Sequence, residues 1–447
     1  MKDQFPSLTD SFAVSSMKKT LVISDRFPLP EKFGADIRTM NLARYFAGLG
    51  PVDIAYLSDL PSSLRQMAGA GEHLEKDDVF SGKYCLQKLE YPRTLRGRFG
   101  ISVRGFPYPV REYSKASMEK LVALIEFGGY DFVLVRYLRN TAGFFGLSQT
   151  AKMKVIVDID DVLTLSLYDT LFAPTNNALR KLFRAVNKVL LTYYQTRCVT
   201  GFGACLVCSE KDKSDLWGEK ASESIFVVPN TLGMRGSGKL PMGSGFARRH
   251  ILLFIGALHY QPNVSGLLWF LENVYPLYRD MYPDAVLLVV GREPLPEVIE
   301  ACARSKGVEL HPDVPDVIEY YKKCRAVIVP LLEGSGTRLK VLEAALLERP
   351  IMSTRKGVEG LDVVSGVHFL EFSDDRSFCE AYRTLSNETV YDALVASAES
   401  IVLEKYSNSA LFASMSKVVA YIDSRKAKMS SPRSHASAGQ PSGEAFN

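Results

Sequence analysis

Residues 329–347 read VPLLEGSGTRLKVLEAALL, and the order of residue types in this stretch decides the fold. Just before it, Ala326 to Val329 is an apolar run without polar interruption, the mark of a buried parallel strand. Pro330 closes the strand, and Gly334, Ser335, Gly336 and Thr337 form a loop that small residues allow to bend tightly. From Arg338 the period becomes helical, with Leu339, Leu342 and Leu346 three and four apart. A strand, a glycine loop and a helix N-terminus in that order make an anion site. The first-turn amides are unpaired, and the helix dipole adds roughly half a positive charge. Arg338 and Lys340 place two cations beside this end, and Glu343 follows in the second turn. A phosphate joined to a hydroxyl-bearing group is the matching ligand. The competing account is structural: many such loops bind nothing, the cations are a solvated face, and Glu343 pairs with Lys340 across one turn.

The chain around this stretch has 447 residues, too many for one ordinary core, and two domains are expected. Its composition, 47% hydrophobic and 23% charged, is that of a globular protein. A formal net charge of +4 is too small for a nucleic-acid binder. No apolar run is long enough to span a membrane, and residues 1–17 form a flexible N-terminus without an apolar signal core. Seven scattered cysteines fit a reducing cytoplasm. Cys205 and Cys208 lie on a predicted strand and point to opposite faces, so they are expected in the core rather than on a shared metal.

Two successive α/β patterns fill the chain. In residues 18–230 strands are expected at Thr20–Ser24, Val52–Leu57, Phe132–Val135, Val155–Val157, Ala204–Ser209 and Ile225–Val228. The first strand leads through a proline-rich loop to Gly34 and a helix, the opening of a nucleotide-type domain. The stretch Pro61–Pro109 has little pattern and reads as surface. Asp158, Asp160 and Asp161 lie at the carboxyl end of a strand, where open parallel sheets bind ligands. Helix capping is their structural alternative, and a hard cation a chemical one. Leu179–Thr196 is an amphipathic helix rich in Arg and Lys, able to pack on the sheet or to lie on an anionic membrane. Residues 231–249 are a linker of Gly, Ser, Met and Pro. A second domain is expected over 250–405, with a long helix from Val264 to Tyr278. A C-terminal helix over 406–424 would pack back on the first domain, before a disordered tail over 425–447. The fold class is therefore α/β, two Rossmann-like domains facing across a cleft.

The second half resembles the retaining, nucleotide-sugar-dependent glycosyltransferases of GT-B fold, family 4, the group 1 class. The resemblance runs in order through Phe254-Ile255-Gly256-Ala257, Pro262-Asn263, Val289-Val290-Gly291 and Ala326 to Leu331. It ends with Gly334 to Ala344 and Gly357-Val358-Glu359-Gly360-Leu361. It implies a donor diphosphate held by Gly256, Ser335, Gly336, Thr337, Arg338 and Lys340, with Glu343 accepting from ribose hydroxyls. Gly34 would approach the phosphates from the first domain, and Asp158 and Asp161 would be the catalytic electrostatic partners. No cofactor or metal is implied, since the nucleotide sugar is a substrate and its own phosphate assists the acceptor hydroxyl. The acceptor would be a glycan or a lipid-linked hydroxyl, and the location cytoplasmic, with peripheral contact at the inner face of the membrane.

Two departures from the family pattern stand out. Of two glutamates usually seven residues apart, the first falls on Ser335, and Glu333 is displaced by two places. The basic pair usual after the first strand of the donor domain is replaced by Gly256-Ala257-Leu258-His259-Tyr260, leaving Arg338 and Lys340 to supply the charge. A UDP-sugar 2-epimerase and a catalytically silent nucleotide-sugar-binding protein are the alternatives. A dehydrogenase is disfavoured because no GxGxxG follows the first strand.

Overall fold

The computed structural model describes residues 17–31, 34–58, 78–87, 113–160, 178–217, 223–232, 250–334 and 338–430. The described strands form two wholly parallel sheets. The first contains β1 (Thr20–Ser24), β2 (Val52–Ser58), β3 (Phe80–Gln87), β4 (Phe132–Arg136), β5 (Val155–Asp158), β6 (Ala204–Val207) and β7 (Ile225–Val227). Its order is β3-β2-β1-β4-β5-β6-β7. The second contains β8 (Ile251–Ile255), β9 (Val286–Gly291), β10 (Val308–Pro312), β11 (Ala326–Val329), β12 (Ile351–Ser353) and β13 (Leu370–Glu371), in the order β10-β9-β8-β11-β12-β13. β1, β4 and β5 are buried throughout, as strands covered by helices on both faces must be.

Strand order reverses between β1 and β4 in the first sheet and between β8 and β11 in the second. These are the points where open α/β sheets leave a crevice beyond the carboxyl ends. The 329–347 stretch therefore sits at the switch point of the second sheet. The helices that bear on the sites are α1 (Gly34–Ala47), α2 (Ala178–Gly201), α3 (Glu210–Trp217), α4 (Gln261–Asn273), α5 (Ile318–Lys323), α6 (Leu339–Leu346) and α7 (Asn408–Ser430).

Helix α7 carries Leu411, Met415, Val418 and Ile422 into the same buried cluster as Val22, Phe46, Ile54 and Leu206 of the first domain. The chain thus crosses back to its first half, and Asn41 links Thr231 (2.8 Å), which in turn donates to Asn408 (2.9 Å).

Four sequence expectations change. The tail expected to be disordered from residue 425 starts as helix, since α7 runs to Ser430 and Arg425 donates to the Gly203 carbonyl (3.4 Å). β3 lies inside the stretch read as patternless surface; Ser81, Lys83 and Cys85 are exposed, so this edge strand has no continuous apolar signature. The helix expected from Val264 to Tyr278 is two helices, α4 and a second over Tyr275–Met281, because Pro276 cannot donate into a continuing ladder. The strand expected to reach Ser209 ends at Val207, and Ser209 caps α3 through its bond from the Asp212 amide (3.1 Å).

Candidate functional site

At the second switch point the backbone comes first. Gly256 follows β8, and a Cβ there would lie 2.7 Å from Asn263 Nδ2 and 3.0 Å from Lys340 Nζ, so a side chain at this position would push both groups aside. Gly334 has φ +99°, which glycine adopts without strain, and it packs on Pro262. Asn263, at the start of α4, donates to the Ala257 carbonyl (3.0 Å) and accepts from Lys340 Nζ (2.8 Å). One asparagine therefore ties the β8–α4 loop to the first turn of α6.

Two of the expected cations are placed differently. Arg338 is 6% exposed and donates from Nη2 to the Gly334 carbonyl (2.9 Å), closing the glycine loop on itself. Lys340 is half-buried over Gly256, with its Nζ 5.0 Å from the centre of the Phe254 ring. Burial and then the Arg338 charge pull its ammonium down to about 7, against the opposing pull of Glu343. Lys340 thus stands beside the β8–α4 loop, where the sequence lacks the usual basic pair. Glu343 is half-buried and accepts from Tyr321 Oη of α5 (3.2 Å), which fixes one carboxylate oxygen. Glu333 accepts from Ser265 (3.0 Å). Ser335, Gly336 and Thr337 lie outside the described residues, as does Asp161.

The first domain meets this site at two places. A Cβ on Gly34 would lie 2.8 Å from Leu339 Cδ1, so α1 begins against the first residue of α6. Across the cleft Lys211 of α3 lies 3.8 Å from Glu359, and Ser209 abuts Gly360.

Between these two contacts runs a buried charge network. Asp158 is 0% exposed and takes Arg38 Nη2 (2.6 Å) and Nε (2.9 Å), together with Arg136. Arg38 also donates to the Val228 carbonyl (3.0 Å) and to Asn230 (2.7 Å). Asp158 is therefore enclosed by two guanidinium groups, with no face open to a substrate. Asp160, two residues on, takes Arg136 Nη2 (2.8 Å), Asn230 Nδ2 (3.3 Å) and the Cys208 thiol (3.4 Å), yet its side chain stays 14% exposed. Burial opposes its charge, but Arg136 and Arg38 outweigh it and hold the carboxyl below the usual aspartate range. Sequence reasoning missed Arg38, Arg136 and Tyr321, and it met Asn263 and Asn230 within family-like strings without giving either a role. One usable signal was Arg136, a guanidinium ending the otherwise apolar strand Phe132–Val135.

Residues 249–388 match the family described as glycosyl transferases group 1. The chain is 24% identical over 415 residues to the "uncharacterized 44.6 kDa protein in cps region" of Klebsiella pneumoniae, covering 90% of this chain and 100% of that one. Sucrose-phosphate synthase of Thermosynechococcus elongatus is similar in structure, with a TM-score of 0.62 at 16% identity over 93% of this chain and 100% of that one. Anabaena Alr3699/HepE, solved with UDP and glucose, gives a TM-score of 0.58 at 11% identity over 90% of this chain and 99% of that one. The chain has the GT-B fold, and residues 249–388, which hold the switch-point loop, match the group 1 glycosyl transferases.

Proposed function

We propose that the protein is a glycosyltransferase that moves a sugar from a nucleotide-diphosphate donor to a hydroxyl acceptor with retention of anomeric configuration. The observation that carries the reading is the second switch point, where Gly256, Asn263 and Lys340 converge and Arg338 donates to the Gly334 carbonyl. There the donor diphosphate would lie against the first turn of α6, with Lys340 supplying the charge and Gly34 covering it from the first domain. Loop residues Ser335, Gly336 and Thr337 are assigned to the same phosphates. Glu343 would hold the ribose hydroxyls, with Tyr321 fixing one carboxylate oxygen. Of the aspartates, Asp158 positions Arg38 and Arg136, and the partly open Asp160 is assigned to the acceptor together with Asp161. The Klebsiella relative in a cps region supports a polysaccharide product.

Replacing Glu343 by alanine is expected to lower turnover of the donor by about one to two orders, about 1.4–2.7 kcal/mol. Transfer assays over a panel of UDP and GDP sugars, with mass spectrometry of the products, test this. Unchanged turnover in the variant would remove Glu343 from the site, and sugar retained on the nucleotide as an epimer would favour the epimerase.

We assign peripheral membrane contact to α2. Its Val186, Val189 and Tyr193 are 45%, 69% and 59% exposed, three to four residues apart, while Leu191, Tyr194 and Cys198 face the core. No helix among the described residues is long and apolar enough to cross a membrane. Co-sedimentation with phosphatidylserine vesicles is expected, and it should weaken in a Val189→Asp variant; no co-sedimentation of the wild type would refute the assignment.

A further inference from the structure

We propose that the switch-point crevice of the first domain is an acceptor subsite for an uncharged, hydroxyl-rich sugar ring, built on Tyr137, Asp25 and Asp160. The proposal rests on the glycosyltransferase reading and narrows it to a substrate class. The crevice between β1 and β4 is the first domain's counterpart of the donor site. Asp25 follows β1, and Tyr137 follows β4.

Tyr137 has φ 67° and ψ 135°, a conformation that residues with side chains seldom hold. Its backbone is pinned from both sides, the amide donating to the Asp158 carbonyl (2.9 Å) and the carbonyl accepting from the Asn140 amide (3.1 Å). Such strain persists where the side chain it delivers has a use. The half-buried ring is clamped by guanidinium groups, with Arg139 4.1 Å and Arg136 4.8 Å from its centre. Asp25 is fixed by Arg139 Nε (2.9 Å) and Asn140 Nδ2 (2.7 Å), and Asp160 by Arg136 and Asn230. The phenol is close enough to both carboxylates to feel their charge, and burial foremost pushes its ionisation up to about 12, so the hydroxyl stays a donor at neutral pH. One phenol and two carboxylates at fixed positions are the groups that sugar hydroxyls need.

Charge decides the class of sugar. Among the described residues of this edge, Arg26 is paired with Asp36 (2.8 Å), Arg38 with Asp158, Arg136 with Asp158 and Asp160, and Arg139 with Asp25. Each guanidinium is already matched by a carboxylate. A phosphorylated headgroup would have to displace one of these pairs, whereas neutral hydroxyls would not.

Saturation-transfer NMR with neutral methyl glycosides, and acceptor kinetics with the same compounds against sugar phosphates and polyprenyl-phosphate-linked sugars, test the proposal. Neutral glycosides are expected to bind and to accept sugar. Tyr137→Phe should raise the acceptor KM about tenfold, the loss of one hydrogen bond, without changing nucleotide affinity. Tyr137→Gly relieves the backbone but removes the packed ring, and it should abolish glycoside binding while leaving nucleotide affinity unchanged. Wild-type acceptor kinetics in both variants, or binding of phosphorylated sugars alone, would overturn it. The NMR arm needs no donor, so glycoside binding that disappears in Tyr137→Gly would support the subsite even if no nucleotide sugar were turned over.

Discussion

Replacing Asp158 by alanine is expected to destabilise the first domain by about 3–5 kcal/mol, the scale for removing one partner of a buried charge network. The carboxylate is 0% exposed, and it is the shared partner of Arg38 and Arg136, which are themselves 1% and 0% exposed. Without it two guanidinium groups lie in the core with Asp160 as their remaining carboxylate. Arg38 would also lose the anchor that holds its Nη1 on Asn230 and the Val228 carbonyl at the end of β7. The network therefore ties β5, β7 and α1 together, and its loss should loosen the edge that faces the cleft. Denaturant unfolding followed by hydrogen exchange in residues of β1, β4 and β5 measures it. A loss below about 1 kcal/mol would mean that the two arginines are held adequately by their other contacts. Acid should reach the same network. The folded carboxyl of Asp160 titrates below its unfolded value. Its contribution is therefore complete above the ordinary aspartate range and is lost as pH falls through the lowered value.

Replacing Lys340 by methionine is expected to reduce donor turnover by about 10²–10³-fold, the range for losing one charged group aimed at developing phosphate charge. Methionine keeps an unbranched apolar side chain and removes the ammonium together with its contact to the Phe254 ring. Arginine should not restore activity, because a planar guanidinium does not reproduce the point charge that Nζ places on Asn263 Oδ1 (2.8 Å). The pH dependence has a definite sign. The ammonium ionises at about 7 in the ligand-free protein, so its positive form is lost as pH rises through that value. A bound diphosphate should restore the charge, and calorimetry above pH 7 in buffers of different ionisation enthalpy should register proton uptake that is absent in Lys340→Met. Equal uptake in the variant would assign the proton to another group.

Much of this architecture was legible because it is local. A run such as Ala326–Val329 followed by Gly334 and a leucine period carries its own strand, turn and helix signals. The alternation of such units implied two parallel sheets. What escaped was long-range or sparse. Arg38 and Asp158 are 120 residues apart, and nothing in either neighbourhood names the other. Asp158 read as a candidate catalytic group because its place at the end of β5 was legible and its two arginine partners were not. Arg338 read as an open cation because its bond to the Gly334 carbonyl depends on a turn that composition does not specify. Tyr137 gave no signal at all, since an unusual φ is imposed by the Asp158 and Asn140 backbone bonds on either side of it.

The most direct measurement is calorimetric titration of UDP and GDP into the whole chain and into its Lys340→Met variant. At least one nucleoside diphosphate is expected to bind the wild type with proton uptake above pH 7, and the variant is expected to bind it at least tenfold more weakly. Binding of neither nucleotide, or equal affinity in the variant, would contradict the placement of a donor diphosphate at the second switch point.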